Sequence, residues 1–249
     1  MNNSRGTLAT IVKSGVLKTR VRPRPIPSLF VFPGLSSTAP IISAASSPSL
    51  LAVARKLEAS YDVVLAEYLA LRKHLANASD YKEEAKDEAK LHKGQWSWNS
   101  YLIQGERRAE FATQCPHTTE LLESFRRPTL MTDTPFSFAF FSTMGPGATI
   151  APHHGPCNLR IRCHFPLIVP RGDPHDCGME VGGEVVSWTA GKPIFFDDAF
   201  EHRVWNHTKE ERVVLLFDLW HPELEALEID AIKDMFAFAR EQGWLAGQK

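Results

Sequence analysis

The sequence predicts a mainly β domain with flanking helices, arranged as a double-stranded β-helix, or jelly roll. Short apolar or alternating segments follow one another between Gly- and Pro-rich turns from residue 94 to residue 220. The long stretches of apolar residues at helical spacing lie before and after that region. Helices on either side of a run of short strands are typical of an antiparallel barrel with helices packed on its outside.

The composition indicates one globular domain, over residues 27–249. The chain has 249 residues and a hydrophobic content of 43%, enough for a substantial core. A formal net charge of -1 gives no general attraction to nucleic acid. The longest apolar runs fall short of the ~20 residues of a membrane-spanning helix, so we expect a soluble protein. The four cysteines lack the paired spacing of a zinc knuckle or a disulfide framework.

Residues 1–26 form a basic extension without a single acidic residue; the first acid in the chain is Glu58. An Arg- and Ser-containing stretch without acids resembles a transit peptide for mitochondria or plastids. The alternative is a basic tail with no targeting signal, on a cytoplasmic protein. Pro23 and Pro25 favour an extended linker in either case.

Helical segments are predicted at both ends of the domain. Residues 50–93 form the leading part: apolar residues recur every three or four positions up to residue 75, and residues 77–93 are a charged helix or loop. A short helix with a threonine cap is expected within residues 115–126. The closing helix covers residues 224–241, with Leu227 and Phe238 among its inward-facing residues.

The barrel is predicted over residues 94–220. Its first strand is the aromatic segment 96–103, and another strand covers residues 137–144. A hairpin is expected around Gly182 and Gly183, because paired glycines supply the positive φ of a tight turn. Residues 191–206 are predicted to form an apolar strand, an acidic turn and a further strand that begins at His202, and residues 212–220 form the last strand.

The central strand has an unusual cationic face. Alternation from Asn158 onward places Arg160, Arg162 and His164 on one face and Leu159, Ile161, Cys163 and Phe165 on the other. Two guanidiniums and an imidazole in a row form a donor surface suited to a carboxylate or phosphate. The alternative is a cationic outer face of the sheet.

Two histidines and an arginine surround this strand in the pattern of a metal site. His153 precedes it, His202 begins a strand about fifty residues later, and Arg212 follows about ten residues beyond that. This order fits a cupin-like barrel that holds a metal ion together with an anionic chelator. A carboxylate two residues after His153 would complete a common iron site, but Gly155 stands there.

Several motifs together resemble the aspartyl/asparaginyl β-hydroxylase family. They are Phe32-Pro33-Gly34-Leu35, Ser142-x-Met144, Pro152-His153-x-Gly155-Pro156-x-Asn158-x-Arg160-x-Arg162-x-His164, Phe196-Asp197-Asp198-x-Phe200-Glu201-His202-x-Val204-Trp205 and Asp218-x-Trp220-His221-Pro222-Glu223-Leu224. The resemblance implies an oxygenase that uses iron(II), 2-oxoglutarate and dioxygen. It also implies a metal site of two histidines without a carboxylate, which accounts for the missing acid.

The resemblance assigns roles to individual residues. The metal ligands fall on His153 and His202, and His154 is a neighbour that does not bind the metal. The contacts to 2-oxoglutarate fall on Ser142, Arg162, Cys163, His164 and Arg212, with Cys163 contributing through its backbone or its side chain. Residues expected near the substrate or behind the ligands are Met144, Arg160 and Asp198. From its charge alone, Arg212 could instead form a structural ion pair with Asp218 or Glu201.

The resemblance implies hydroxylation of an unactivated carbon with release of succinate and CO2. The favoured position is the β-carbon of an Asp or Asn that is peptidyl, free or carrier-bound; a lipid acyl chain is the alternative within the family. Two other classes remain open: a cupin-like metalloprotein that does not use 2-oxoglutarate, and a non-catalytic barrel that binds a small acid. No nucleic-acid partner is expected.

Overall fold

The computed structural model describes residues 29–36, 39–75, 79–81, 91–126, 128–173 and 175–245. The basic extension and most of the charged segment 77–93 therefore lie outside the described residues. Within the described ranges, none of the helices is both long and apolar enough to cross a bilayer.

The described chain is mainly β. Its strands are β1 (Ile41–Ile42), β2 (His92–Lys93), β3 (Trp96–Ile103), β4 (Glu106–Arg107), β5 (Ala139–Met144), β6 (Thr149–His153), β7 (Arg160–Ile168), β8 (Cys177–Val181), β9 (Glu184–Val186), β10 (Ile194–Phe196), β11 (His202–Asn206) and β12 (Arg212–Trp220). Its α-helices are α1 (Pro48–Ala59), α2 (Tyr61–Leu75), α3 (Ala109–Gln114), α4 (Pro116–Glu123) and α5 (Ala226–Glu241).

The strands form two antiparallel sheets. The larger sheet has the order β1-β10-β7-β12-β5-β3-β4, and the smaller has the order β2-β6-β11-β8-β9. Consecutive strands alternate between the sheets through most of the barrel, because β6, β8, β9 and β11 pair apart from β5, β7, β10 and β12. The double-stranded β-helix predicted from the sequence is confirmed.

Each face of the larger sheet packs against a different partner. Ile161, Cys163 and Phe165 of β7 belong to a core that also contains Leu57 and Val64 of the two leading helices. A second core, between the sheets, joins Phe196, Val214 and Leu216 to Ile150, Met179 and Val204 of the smaller sheet. The face of β7 that does not pack on the helices therefore points into the space between the sheets.

Several predicted elements are confirmed with shifted boundaries. The hairpin at Gly182 and Gly183 joins β8 to β9, and both glycines have positive φ, of 58° and 88°. The predicted leading helix is divided into α1 and α2 at Ser60, whose N–H bonds back to the carbonyls of Lys56 and Leu57. The helix α3 was not predicted.

Two details of the predicted helices are wrong. Thr118 does not cap α4, because this helix begins at Pro116 and the N–H groups of His117 and Thr118 donate to the Glu67 carboxylate of α2. Leu227 and Phe238 do not face the core, since they are 79% and 49% exposed. The buried residues of α5 are Glu228, Ile232 and Phe236.

Candidate active site

The two predicted metal ligands lie side by side in the smaller sheet. His153 ends β6 and His202 begins β11, and the two residues are direct partners in the antiparallel register. Their ring centroids are 4.0 Å apart. The barrel topology therefore brings together two imidazoles that are far apart in the sequence.

Backbone carbonyls fix the tautomer of both rings. Nδ1 of His153 lies 2.8 Å from the carbonyl oxygen of Ala151, and Nδ1 of His202 lies 2.9 Å from that of Phe200. A carbonyl oxygen only accepts, so each Nδ1 carries the proton and each Nε2 keeps its lone pair. Burial lowers the pKa of His153, and burial together with His153 lowers the pKa of His202 to about 3. Neutral imidazoles with a free Nε2 are suitable metal ligands.

Both ring nitrogens of His154 lie near oxygen atoms of the segment that precedes His202. Its Nδ1 donates to the carbonyl oxygen of Ala199 at 3.1 Å, and its Nε2 lies 3.7 Å from the Glu201 carboxylate. Among the residues that the structure describes, His, Cys, Asp and Glu side chains form no group of three that could hold a metal ion. The imidazoles of His153 and His202 are therefore a pair, without a third such side chain beside them in the described chain.

Arg212 is a buried cation without a counter-ion in the described part of the chain. Its side chain is 1% exposed, its guanidinium lies 4.7 Å from the centre of the Trp188 ring, and its Nε has no hydrogen-bond partner. A terminal nitrogen lies 3.5 Å from both Oγ and the carbonyl oxygen of Ser142, which is long for a hydrogen bond. Burial lowers its pKa to about 10. The alternative ion pair with Asp218 or Glu201 is wrong, because neither carboxylate reaches Arg212.

Two tryptophans orient the polar residues beside Arg212, and the sequence analysis assigned a role to neither. The indole Nε1 of Trp96 donates to Ser142 Oγ at 2.9 Å. The indole Nε1 of Trp188 donates to Nδ1 of His164 at 3.3 Å, so the proton of that imidazole is on Nε2. Burial and the charge of Arg212 lower the pKa of His164 well below its ordinary value, which makes it a neutral donor.

A buried network of two arginines and two aspartates lies behind the histidines. Arg160 bonds Asp198 through Nε at 3.2 Å and Asp218 through a terminal nitrogen at 3.0 Å. Arg162 bonds both oxygens of Asp218, at 2.8 and 3.1 Å, and lies 3.3 Å from Asp198. The four formal charges cancel, so the network is electrically neutral.

The network changes the expected roles of Arg160 and Asp198. Arg160 is 1% exposed and its three nitrogens all have protein partners, which include the carbonyl of Phe136, so it is not available to an acidic substrate. Asp198 is fully buried, and its carboxylate holds both arginines. Burial alone would raise the pKa of Asp198, but Arg160 and Arg162 outweigh burial and lower it.

A cavity of about 300 Å³ between the sheets contains most of the predicted site residues. Its polar lining is His153, His154, Ser142, Arg160, Arg162, His164, His202 and Arg212. Cys163 and Met144 do not line it; the Cys163 side chain is buried on the helix side of β7, where desolvation raises its pKa. Grooves of about 520 and 500 Å³ elsewhere contain none of these residues.

Comparison with known proteins identifies the family. The family model described as aspartyl/asparaginyl beta-hydroxylase matches residues 58–222. The chain belongs to the aspartyl/asparaginyl β-hydroxylase family. The match includes both histidines, Arg212 and the whole buried network.

Relatives within the family are moderately similar. The chain is 35% identical over 190 residues to aspartate beta-hydroxylase domain-containing protein 2 of Rattus norvegicus, covering 74% of this chain and 52% of that protein. It is 36% identical over 138 residues to aspartyl/asparaginyl beta-hydroxylase of Homo sapiens, covering 55% of this chain and 17% of that protein. The chain spans about half the length of the first of these relatives.

Solved structures with a similar fold are more distant. A prolyl-4-hydroxylase of Pseudomonas putida shares 16% identity at a TM-score of 0.40, covering 69% of this chain and 100% of that chain. A cupin 2 barrel domain protein of Salinispora arenicola shares 13% identity at a TM-score of 0.31, covering 61% of this chain and 95% of that chain.

Proposed function

We propose that this member of the β-hydroxylase family is an iron(II)- and 2-oxoglutarate-dependent oxygenase that hydroxylates an unactivated carbon. One observation carries the proposal: two neutral imidazoles with free Nε2 atoms share a cavity with a buried guanidinium that has no counter-ion among the described residues. A buried cation of this kind is costly unless a ligand pairs with it. A dicarboxylic cosubstrate that also chelates the metal supplies such a partner.

His153 and His202 would hold the metal through Nε2, with their Nδ1–H groups anchored to backbone carbonyls. When bound, iron(II) with 2-oxoglutarate and dioxygen supplies the oxidation, in which 2-oxoglutarate becomes succinate and CO2 and a C–H bond becomes C–OH. The protein's contribution is to place the reactants and to exclude water.

Arg212 and Ser142 would bind the carboxylate of 2-oxoglutarate that lies away from the metal. The guanidinium supplies a charge-assisted hydrogen bond, and the Trp96 indole leaves the Ser142 proton free to donate by occupying the oxygen as acceptor. Arg162 and His164 would meet the carboxylate nearer the metal. Asp218 holds Arg162 in one orientation, and Trp188 both covers Arg212 and fixes His164.

The β-carbon of an Asp or Asn is the substrate position that the names of the relatives suggest. That Asp or Asn is peptidyl, free or carrier-bound.

Replacement of Arg212 by Ala tests the proposal. Binding of the cosubstrate analogue N-oxalylglycine to metal-loaded protein should weaken by roughly ten- to a hundredfold, as for loss of a charged hydrogen bond. The matched control is Arg203→Ala, which removes an exposed arginine paired with Glu180 and should leave binding unchanged. Calorimetry measures both.

Arg212→Ala and His202→Ala together separate the rival classes. A metalloenzyme that does not use 2-oxoglutarate would keep its activity in Arg212→Ala. A non-catalytic barrel would retain acid binding in His202→Ala, whereas the proposal requires metal binding and metal-dependent succinate formation to be lost. Unchanged N-oxalylglycine affinity in Arg212→Ala would refute the assignment of this arginine.

A further inference from the structure

An extended segment at the start of the described chain has no role in the proposed function. Residues 29–36 contain the Phe-Pro-Gly-Leu motif and belong to neither sheet. They lie against residues 154–159, which join β6 to β7 and follow His153 directly. We call the first segment the terminal strap and the second the ligand loop. The strap is therefore in contact with the backbone that leads away from one of the proposed metal ligands.

Backbone and side-chain hydrogen bonds attach the strap to the ligand loop. The N–H groups of Leu29 and Phe30 donate to the Pro156 carbonyl oxygen at 3.1 and 2.8 Å. The Asn158 amide binds both backbone groups of Phe32: its Oδ1 accepts from the N–H at 2.7 Å, and its Nδ2 donates to the carbonyl oxygen at 2.9 Å. An amide side chain is suited to this double contact, because it carries an acceptor and a donor side by side.

Other contacts hold the strap to the rest of the fold. The Ser36 N–H donates to the Glu223 carboxylate, just after β12, at 2.9 Å. The Phe32 side chain is 1% exposed and belongs to an apolar core with Trp220 at the end of β12 and Phe236 of α5. The strap is thus fixed independently of the ligand loop, and it supports the loop from outside.

The opposite side of the ligand loop faces the segment that precedes His202. The Gly155 N–H donates to the Asp198 carbonyl oxygen at 2.6 Å, and Pro156 lines the cavity. The loop is therefore held between the strap and the backbone that carries the second imidazole. Because the backbone continues from His153 into the loop, a displacement of the loop would move the first imidazole relative to the second.

We propose that Asn158 is a positioning residue of the metal site. Its amide holds the ligand loop against the strap, and the loop in turn sets the position of the His153 imidazole relative to that of His202. This inference rests on the proposed function, in which both imidazoles bind the metal. Asn158 acts through the backbone, since its own side chain is not part of the described lining of the cavity.

Replacement of Asn158 by Ala removes both bonds to Phe32 and is tested with cobalt(II), whose visible absorption depends on the arrangement of its ligands. Calorimetry gives the affinity of the full chain for cobalt(II), and the absorption of the saturated protein reports the geometry of the site. We expect Asn158→Ala to bind cobalt(II) roughly three- to thirtyfold more weakly, the effect of one or two neutral hydrogen bonds. Its saturated spectrum should also differ from that of the wild type.

Two control variants separate positioning from stability alone. Glu67→Ala removes the acceptor of the His117 and Thr118 N–H groups at the start of α4, on the helix side of the larger sheet. It should lower the midpoint of urea unfolding and leave the cobalt(II) affinity and spectrum unchanged. Ser36→Ala removes a hydroxyl bonded to Glu223 but keeps the contacts of the ligand loop, so it should weaken binding by roughly twofold at most.

The outcomes distinguish this inference from the function on which it rests. A wild-type chain that binds no cobalt(II) would contradict the metal site and the inference together. If the wild type binds cobalt(II), and folded Asn158→Ala matches it in affinity and in spectrum, the positioning role is overturned and the oxygenase assignment remains. Equal changes in Glu67→Ala would also overturn that role, because lost stability would then account for them. If Asn158→Ala does not fold, Asn158→Asp, which keeps the acceptor and loses the donor, is measured in its place with the same expected changes.

Discussion

At the scale of single residues, the site is organised by groups that hold one end of a side chain and leave the other end free. The carbonyl oxygens of Ala151 and Phe200 accept from Nδ1 of the two histidines, which directs the lone pair of Nε2 into the cavity. The Trp96 indole N–H donates to the Ser142 hydroxyl oxygen and leaves the hydroxyl proton free. These partners are uncharged. They restrict the orientations of the site's side chains, so a ligand does not have to select one orientation among several.

Replacement of Trp96 by Phe tests this effect on Ser142. The variant removes the donor to Ser142 Oγ, so the hydroxyl can rotate and its proton is no longer reserved for the cosubstrate. We expect N-oxalylglycine to bind roughly two- to tenfold more weakly, the effect of one neutral hydrogen bond. The matched control is Trp98→Phe, whose lost N–H has no partner in the described chain and should leave this affinity unchanged. Equal weakening in both variants would contradict the prediction.

Replacement of Gly155 by Ala tests the close approach between the loop that follows His153 and the loop that precedes His202. A Cβ at this position would lie 2.6 Å from the carboxyl carbon of Asp198, and the Gly155 N–H donates to the Asp198 carbonyl. We expect a loss of about 1–3 kcal/mol in the free energy of unfolding, together with weaker metal binding. Gly145→Ala is the control, since its Cβ would lie 3.2 Å from the Gln95 Cβ and 3.6 Å from the Gln95 carbonyl oxygen, a much milder approach than the one at Gly155. Urea unfolding measures the loss of stability, and metal titration measures the loss of affinity. Equal results for the two variants would contradict the prediction.

At the scale of elements, β7 shows what alternation in a sequence can and cannot predict. The two faces of this strand follow from the period of two, so Arg162 was correctly predicted to share a face with His164 and to oppose Cys163. The partners of Arg160 could not be predicted, because Asp198 and Asp218 are 38 and 58 residues away in the chain. Their positions depend on the pairing of whole strands.

The cap of α4 was predicted wrongly for the same reason. Its threonines predicted a local cap, but the acceptor is Glu67 on α2, about fifty residues earlier, and it depends on how two helices pack. The tertiary contact therefore overrides the local preference. Trp96 and Trp188 were missed for the same reason, since their indole contacts join different strands or loops.

Replacement of Arg160 by Met tests whether the buried ion pairs between β7 and its neighbouring segments stabilise the folded protein. The change leaves Asp198 and Asp218 buried with Arg162 as their one remaining arginine in the network. Removing one partner from a buried charge network costs about 3–5 kcal/mol. Arg203→Met removes an exposed ion pair with Glu180 and should cost less than about 1 kcal/mol. Denaturant unfolding of both variants would contradict the prediction if the costs were similar.

At the scale of the whole molecule, the larger sheet separates two environments. Helices α1 and α2 cover one face with an apolar core, and the other face carries the polar side chains of the cavity. The fold class was predictable because the periodicity changes at residues 94 and 220, and this change reflects which face each segment buries. The contents of the cavity were predictable only through the resemblance, because spacing alone does not bring His153 beside His202.

The cavity keeps three histidines neutral, which links the stability of the metal-free protein to pH. Burial lowers the pKa of His153 and His164, and it lowers that of His202 to about 3. In the unfolded chain each imidazole takes up a proton as the pH falls through about 6.5. The unfolded state then binds more protons than the folded state, so stability falls as the pH is lowered. Asp198 adds to the loss only below about pH 4, where its carboxylate takes up a proton in the unfolded chain but stays ionised in the folded protein because its pKa is lowered there.

The free energy of unfolding of the metal-free protein should therefore decrease between about pH 7 and about pH 5. His202 alone contributes a loss of about 2 kcal/mol by pH 5, because a shift of one pKa unit corresponds to about 1.4 kcal/mol. Urea unfolding at several pH values measures the slope. His164→Gln, which removes one of the three buried imidazoles, should show a shallower slope than the wild type. A free energy that stays constant or increases on going from pH 7 to pH 5 would show that the folded cavity accepts these protons, and that its histidines are not held neutral for a metal.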